Sequence, residues 1–575
     1  MNRLRRSLGT LVINSAVLSS FAEPPPTMTN DPYLWLEEVE SRRALNWVES
    51  HNLLTLEELT TQSRYEETYR GLLDIYNSSE KIPEVTQHGE FYYNFWQDAD
   101  HVRGIWRRCL PESYALPETV WETVLDLDQL AAAEDENWVW KGTSVLDLTN
   151  DRALLRLSRG GKDATVVREF DLITKDFVEG GFFIPEARNA VTWLDRDTMI
   201  FGSPRDAGDA TDSGYPLRSF RWQRGTAMSD AQELHKGEKT DVGVFTAVSD
   251  SASGRRVLTT VSNTFFERSY FLVQSDASRI RIEVPPESRI ELFHDQLIVS
   301  LKSDWDLGDR NLPSGSLVAI KLEDFLAGDR EFQTLFSPEA RISLDTFITT
   351  QNHVVINTLE NVNNRVFAHR FTRGNWERLE VDTPKIGQVV VQAVDSDHSD
   401  DLFLTTSNFL EPSALHVQTL GQANRKMLKR TPAYFDAAGL VMSQHEAIAP
   451  DGTRIPYFQV AHENTILDGS NPTLLYGYGG FQISMKPQYT GTWGRSWMAR
   501  GGVFILANIR GGGEFGPAWH QAALKEKRQV SWDDFIAIAE DLIARKITSP
   551  PHLGIMGGSQ GGLLMGVMYT QRPDL

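Results

Sequence analysis

One serine of this sequence lies in a pattern that could supply a nucleophile. Residues 553–562 read LGIMGGSQGG, so a short apolar run ends in Gly-x-Ser-x-Gly around Ser559. Residues 563–569 favour a helix, and this order predicts a nucleophile elbow, a sharp strand-to-helix turn that exposes a serine hydroxyl. We expect glycine to be required at Gly557 and Gly561, because a Cβ at either position would crowd the turn. The predicted chemistry is acyl transfer through a covalent intermediate on Ser559.

A serine hydroxyl attacks only when a neighbouring base accepts its proton. In hydrolases with such an elbow the base is a histidine oriented by a carboxylate, and both follow the serine in the chain. After Ser559 the sequence has a single carboxylate, Asp574, and no histidine. His520 and His552 precede the serine and are interpreted as surface or loop residues. The triad Asp and His are therefore not present in this chain, and we expect the chain to be a C-terminally truncated fragment of a longer gene product. If it is the whole product, we expect it to be inactive or nearly so, and poorly stable.

Strands and helices alternate around the serine. The pattern predicts strands at 473–476 and 502–508, a helix over 531–545 with Ser531 and Asp534 as its N-cap pair, and a strand from Leu553. Such alternation predicts a parallel sheet whose chemistry lies at the carboxyl ends of the strands. The backbone N–H of Gln560, at the start of the last helix, is a candidate oxyanion-hole donor.

The rest of the chain has two other sequence patterns. Residues 31–78 predict helices, with Asp31 and Ser41 as helix-starting residues. Residues 79–435 consist of short apolar or β-branched runs between turns rich in Gly, Asp and Ser, which indicates an all-β unit. About 350 residues is long for one sandwich, so repeated four-stranded sheets in a propeller fit better. The catalytic unit then occupies residues 436–575.

Composition limits the partners and cofactors. A net charge of −21 argues against nucleic acid and acidic membrane surfaces. Cys109 is the only cysteine, so the chain forms no internal disulfide and no multi-thiolate zinc site. We expect no metal and no cofactor.

The first 30 residues allow two interpretations. Arg3, Arg5 and Arg6 precede a mostly apolar run over 8–22, which resembles a signal peptide ending near Ala22 and leading to the periplasm or to secretion. Met28 offers a competing start and favours the cytoplasm, which is our prediction.

Four segments together resemble the prolyl oligopeptidase family of serine peptidases. They are DPYLWLE at 31–37, YGYGGF at 476–481, NIRGGGEFG at 508–516 and GGSQGG at 557–562. The resemblance implies an α/β-hydrolase catalytic domain, a seven-bladed propeller and an N-terminal helical segment that packs on the catalytic domain. We expect the protein to be a monomer.

The resemblance assigns two further site residues. Tyr478 matches the tyrosine whose hydroxyl is the second oxyanion-hole donor, and Phe481 matches a residue lining the pocket for the substrate proline ring. Packing at a strand end is the alternative for Tyr478, and a plain core phenylalanine is the alternative for Phe481. Arg510 and Glu514 are interpreted as a pair without a catalytic role.

The leading hypothesis is a serine oligopeptidase that cleaves short peptides on the carboxyl side of proline, with the propeller excluding large folded proteins. One alternative is a related peptidase of other specificity, or an esterase. Another alternative is a catalytically inactive propeller-hydrolase protein used for binding, because the triad Asp and His are absent.

Overall fold

The structure is a computed structural model that describes residues 31–204, 208–249, 254–423 and 425–575. The interpretations of the N-terminus as a signal peptide or as an extension before Met28 fall outside the described residues. None of the helices within these ranges is long and apolar enough to span a membrane. The chain divides into two compact units, the first ending at Arg70 and the second covering Gly71–Leu575.

The N-terminal region is helical. A 3₁₀ turn over Leu34–Glu37 precedes helices α1 (Arg42–Thr60) and α2 (Tyr65–Tyr76). The Ser41 hydroxyl accepts a hydrogen bond from the Ala44 N–H at 3.2 Å, so Ser41 is the N-cap of α1 as predicted.

Seven antiparallel sheets follow in the part of the chain that the structure describes, and each takes its strands from one continuous stretch of sequence. The first three contain β1 to β4 (Thr86–His88, Phe91–Trp96, Ile105–Cys109, Glu122–Asp126), β5 to β9 (Trp138–Val145, Arg152–Arg159, Thr165–Asp171, Asp176–Phe177, Phe183–Ala187) and β10 to β13 (Ala190–Asp195, Thr198–Gly202, Arg218–Gln223, Gln232–Lys236).

The fourth sheet contains β14 to β17 (Gly243–Ser249, Arg256–Ser262, Arg268–Val273, Arg279–Ile282). The fifth contains β18 (Arg289–Phe293), β19 (Gln296–Ser300), β22 (Leu317–Lys321) and β23 (Gln333–Phe336), with a small hairpin of β20 (Trp305–Asp306) and β21 (Asn311–Leu312) inserted. The last two contain β24 to β27 (Ile342–Thr349, His353–Glu360, Asn363–Thr372, Asn375–Val381) and β28 to β31 (Gln388–Ala393, Asp401–Ser407, Ala414–Thr419, Arg425–Arg430). Short helices α3 (Pro111–Tyr114), α4 (Leu127–Glu134) and α5 (Leu322–Leu326) lie between strands of this region.

Apolar clusters join each sheet to the next and also join the last sheet to the first. In the closing cluster Phe403 and Leu415 of the seventh sheet pack with Tyr92 and Tyr114, and the rings of Tyr92 and Phe403 lie 5.5 Å apart. The sheets therefore form a closed ring, which confirms the predicted seven-bladed propeller.

The catalytic unit contains a five-stranded sheet of β32 (Leu440–Ile448), β33 (Arg454–His462), β34 (Thr473–Tyr476), β35 (Val503–Ala507) and β36 (Leu553–Met556). Its order is β32-β33-β35-β34-β36, and β34 runs parallel to both of its neighbours. Helices α6 (Gly491–Ser496), α7 (Pro517–Gln521), α8 (Gln529–Ala544) and α9 (Gln560–Gln571) connect or follow these strands. The predicted α/β-hydrolase architecture is confirmed.

The two faces of this sheet are covered by different partners. On one face Phe535 and Ile538 of α8 and Leu564 of α9 belong to the same apolar cluster as the sheet. On the other face Phe458 and Phe504 pack with Phe409, which follows β29 of the propeller. The central strands β33 and β35 are therefore mostly buried between two apolar layers, whereas β36, the edge strand that leads to the site, is only partly buried.

The start of α8 differs from the prediction. The helix begins at Gln529, so Ser531 and Asp534 lie within it and do not form its N-cap pair. Both are fully buried, and Asp534 is used for a tertiary ion pair that the local sequence pattern does not reveal.

Candidate active site

Ser559 lies at the turn between β36 and α9 and is exposed. Its backbone has φ 53° and ψ −113°, a conformation that a residue with a side chain adopts only at a cost. Strand β36 ends at Met556 and α9 begins at Gln560, so only three residues make the turn. This is the geometry of a nucleophile elbow, which lifts a hydroxyl clear of the sheet.

The elbow is closed by contacts between backbone atoms. A Cβ on Gly557 would lie 2.7 Å from the carbonyl oxygen of Gly477, and a Cβ on Gly561 would lie 2.6 Å from the same oxygen. Gly558 and Gly562 have no neighbour closer than 4.0 Å to such a Cβ. The predicted requirement for glycine at Gly557 and Gly561 is confirmed, and the reason is the carbonyl group at the end of β34.

Strand pairing brings the Tyr478 segment next to the elbow. In the parallel ladder Tyr476 pairs with Met556, so Tyr478 and Gly558 each lie two residues beyond the ends of neighbouring strands. The Tyr478 Cα lies 3.6 Å from the Cβ that would be added to Gly561. Tyr478 is half-buried. Its backbone therefore borders the elbow, and the role of its hydroxyl as an oxyanion-hole donor stays a prediction.

The backbone N–H of Gln560 is the first of α9. The next two N–H groups, of Gly561 and Gly562, donate to the carbonyl oxygens of Gly558 and Ser559 at 2.8 Å each. The first N–H groups of a helix have no acceptor within the helix, and the helix dipole adds partial positive charge there. The Gln560 side chain packs on Gly480, leaving no room for a Cβ at that glycine. Binding of an oxyanion by the Gln560 N–H remains a prediction, which the position of this N–H at the start of α9 supports.

The predicted pair of Arg510 and Glu514 is wrong. Arg510 is buried and donates from Nε and Nη2 to the carboxylate of Asp534, at 2.9 and 2.6 Å, and from Nη1 to Asp451 at 2.5 Å. Burial alone would lower the pKa of Arg510, but its hydrogen bonds to Asp534 and Asp451 raise it above its usual value. The carboxylates come from α8 and from the turn before β33, so neither partner is apparent from the sequence around Arg510.

This ion-pair cluster holds the glycine loop beside the site. A Cβ on Gly511 would collide with the Gly479 carbonyl oxygen, and one on Gly513 would collide with the carbonyl oxygen of Gln482. The consecutive glycines therefore permit close backbone packing. Arg510 positions the loop and does not itself border the nucleophile.

Glu514 is fully buried and forms a separate polar contact. Its Oε1 accepts a hydrogen bond from the Met485 N–H at 2.9 Å and lies 3.4 Å from Asn508 Nδ2. Burial raises its pKa to about 7, although these hydrogen bonds act in the opposite direction. The Ser343 hydroxyl of β24 donates to the Glu514 backbone oxygen at 2.9 Å, so this residue lies where the propeller meets the catalytic unit.

His520 is not a surface residue. It is buried in α7, and its Nδ1 lies 2.7 Å from the Gly511 carbonyl oxygen and 3.1 Å from the Gln482 N–H. Burial lowers its pKa, with the Gly511 carbonyl opposing. His552 is exposed, as predicted.

Phe481 borders a cavity of about 670 Å³ between the propeller and the catalytic unit. Its φ is 55°, it is 45% exposed, and its ring contacts that of Phe265 at 5.5 Å in an edge-to-face arrangement. Phe481 is therefore not a core phenylalanine. Its role in binding a proline ring stays a prediction. No local sequence pattern indicates that Phe265, which follows β15 of the propeller, lies against Phe481.

The fold and the elbow together define a serine hydrolase of the α/β-hydrolase class that carries a β-propeller. Two family models match the sequence: the N-terminal β-propeller domain of prolyl oligopeptidase over residues 17–431, and the prolyl oligopeptidase family over residues 488–575. The chain belongs to the prolyl oligopeptidase family of serine peptidases.

Individual relatives cover most of the chain. An uncharacterized peptidase of Sinorhizobium fredii is 40% identical over 557 residues, which are 95% of this chain and 76% of the relative. A prolyl endopeptidase of Elizabethkingia meningoseptica is 24% identical over 577 residues, with 96% and 75% covered. The solved structure of a post-proline cleaving enzyme from Rickettsia typhi superposes with a TM-score of 0.87 at 31% identity, covering 94% of this chain and 80% of that one.

Proposed function

We propose that the protein hydrolyses short peptides on the carboxyl side of proline through an acyl-enzyme on Ser559. The observation that carries the proposal is the exposed Ser559 on a strained elbow, with Tyr478 and Gln560 bordering it. Relatives that are named prolyl endopeptidase and post-proline cleaving enzyme support it.

The proposed reaction assigns a role to each of these positions. The Ser559 Oγ attacks the carbonyl carbon of the scissile bond while its proton passes to a histidine base, which the family resemblance places after the serine together with its carboxylate. The Gln560 N–H and the Tyr478 hydroxyl donate to the oxyanion that forms. The amine leaves with the proton from the base, and water then releases the acid and regenerates the serine.

Selection of proline rests on Phe481. Its exposed ring, together with Phe265, gives an apolar wall at the mouth of the cavity. A proline ring is compact and apolar, and packing against an aromatic face favours it over polar side chains. A hydrophobic pocket of this kind discriminates by about 1–3 kcal/mol for each methylene-sized difference.

The test uses the complete gene product and four fluorogenic or chromogenic substrates. We expect turnover of a blocked Gly-Pro amide, at least about tenfold slower turnover of the matched Gly-Ala amide, and none of an Arg-Arg amide. Turnover of only the arginyl amide, or of only a nitrophenyl ester, would show that the enzyme has another specificity or is an esterase. The Ser559→Ala protein is the control and should retain its melting temperature.

A further inference from the structure

The cavity beside Phe481 is cationic, although the chain as a whole carries a net charge of −21. Among the described residues that line it, Arg268, Arg289, Lys302 and Lys486 are cationic and Asp345 is the carboxylate. Lys486 donates to Asp345 at 2.8 Å, so these two charges compensate each other. Three cations are left over.

Those three cations form no ion pair with a carboxylate in the part of the chain that the structure describes. Arg289 Nη1 bonds to backbone carbonyl oxygens of Phe266, Glu287 and Ser288 at 3.0 to 3.2 Å. Arg268 Nη1 lies 3.5 Å from the Phe266 carbonyl oxygen. A guanidinium has five N–H donors, so each arginine keeps donors that these carbonyl contacts do not use.

Lys302 shows that burying a cation in this cavity without a paired carboxylate disfavours its charged form. Burial lowers the pKa of its ammonium, with the nearby Asp345 acting in the opposite direction. Glu287 lines the small adjoining cavity with Lys302 and Arg289, but it forms no ion pair with them among the described residues. Charges removed from water are stabilised when an opposite charge binds beside them.

The cavity lies close to the nucleophile. Gln560, the residue after Ser559, packs on Gly480, and Phe481 is the next residue and lines the cavity. One residue of extended chain spans at most about 3.6 Å, so a peptide held at Ser559 reaches the cavity within a few residues.

We propose that this cavity is a substrate subsite for a carboxylate, held by Arg268, Arg289 and Lys302 a few residues from the scissile proline. The inference rests on the proposed post-proline cleavage, because it takes Phe481 as the neighbour of the proline. The carboxylate is supplied by an Asp or Glu side chain of the peptide or by its C-terminus.

The test measures binding, so that it does not depend on turnover. Calorimetry with the Ser559→Ala form of the complete gene product compares acetyl-Glu-Gly-Pro-amide with acetyl-Gln-Gly-Pro-amide. A second pair compares acetyl-Gln-Gly-Pro-Gly-Gly as the free acid with its amide, which separates a side chain from a C-terminus. We expect about tenfold tighter binding of the carboxylate peptide in at least one pair, equivalent to about 1.4 kcal/mol.

Two variants locate the effect. Arg268→Gln with Lys302→Gln should bring both members of the preferred pair to the same affinity, and Arg289 is kept because it fixes three carbonyl groups. Arg281→Gln is the matched control, since Arg281 lies in β17, is exposed and does not line the cavity. It should leave the tenfold preference intact.

Raising the salt from about 0.1 to about 1 M should reduce the preference, because the Debye length falls from about 10 to about 3 Å.

Equal affinities within both pairs, or a preference that survives in the double variant, would overturn the inference. Cleavage is assayed separately with the unmodified protein. Cleavage of acetyl-Gln-Gly-Pro-Gly-Gly after proline, combined with equal affinities within both pairs, would support the proposed function and rule out the carboxylate subsite. A carboxylate preference without cleavage after proline retains the subsite and removes the function.

Discussion

The elbow and the cavity are neighbours built in different ways. At the elbow, backbone meets backbone: the Gly477 carbonyl oxygen occupies the space that a Cβ on Gly557 or Gly561 would need. At the cavity, side chains from the propeller and from the loop after Phe481 meet across a space of about 670 Å³. The contacts at the elbow allow the backbone only one arrangement, whereas the side chains around the cavity leave space for a ligand.

The difference separates catalysis from selection. A change at the elbow moves the nucleophile relative to its hydrogen-bond donors and should lower the rate for every substrate. A change among the cavity side chains should alter the preference between substrates and leave the chemical step alone.

The largest effect is expected at Arg510, the buried cation of the glycine loop. Arg510→Met leaves Asp534 buried without its partner, which should lower the free energy of unfolding by about 3–5 kcal/mol. Urea unfolding measures this. Arg454→Met removes an exposed arginine that is also paired, with Glu446, and should cost about 1 kcal/mol or less. Similar losses in the two variants would contradict the role given to Arg510.

Loss of the tyrosine hydroxyl tests the proposed donor. Tyr478→Phe should lower kcat by about 10² to 10³, because the hydroxyl is expected to bind the oxyanion more strongly than the ground-state carbonyl. KM for the Gly-Pro amide should change little. Steady-state kinetics on the complete gene product measure both. A raised KM with unchanged kcat would assign Tyr478 to substrate binding instead.

Two neighbouring glycines give a matched test of the backbone contact. Gly561→Ala places a Cβ 2.6 Å from the Gly477 carbonyl oxygen, and a displacement of about 1 Å at the site costs about 10²-fold in rate. Gly562→Ala meets nothing closer than 4.0 Å and lies in the same turn of α9, so its rate should stay within about threefold of the unmodified protein. Equal rates in the two variants would show that the elbow tolerates the extra atom.

The buried carboxylate near the cavity gives a pH-dependent effect. The pKa of Glu514 is raised to about 7 in the folded protein, against an ordinary value of 4.5. Its protonated form is therefore favoured by folding, and that stability is present below pH 4.5 and is lost as the pH rises through about 7.

The Glu514→Gln variant has no ionisable group at this position, so it should not lose this stability as the pH rises. Relative to the unmodified protein, the variant should gain about 3 kcal/mol between pH 4.5 and pH 7.5. Melting temperatures across this range measure the gain. A constant difference between the two proteins would contradict the raised pKa.

The sequence predicts the elbow better than its surroundings, for a physical reason. The Gly-x-Ser-x-Gly pattern constrains the backbone locally, so the strand, the turn and the helix at Ser559 follow from ten residues. Helix α8 was misplaced by two residues at its start because Ser531 and Asp534 resemble a capping pair, whereas Asp534 is needed by Arg510. The Asp534 carboxylate could cap the helix or pair with Arg510, and it pairs with Arg510.

Of the residues that line the cavity, only Phe481 could be predicted, and that prediction came from the family resemblance. Phe265 and Arg289 belong to loops and strands of two different propeller sheets, and only the closed ring brings them to Phe481. Similarly, the texture of short strands predicted a propeller, but the number of blades came from the family resemblance and was confirmed by the sheets themselves. Long-range packing leaves no local signal in one sequence.

The central claim is that Ser559 is the activated hydroxyl at the elbow. The most direct measurement is mass spectrometry of the complete gene product after treatment with a fluorophosphonate. We predict one phosphonyl group per chain on the peptide that contains Ser559, and none on the Ser559→Ala protein. A label on another residue, in the unmodified protein and in the variant alike, would contradict the account.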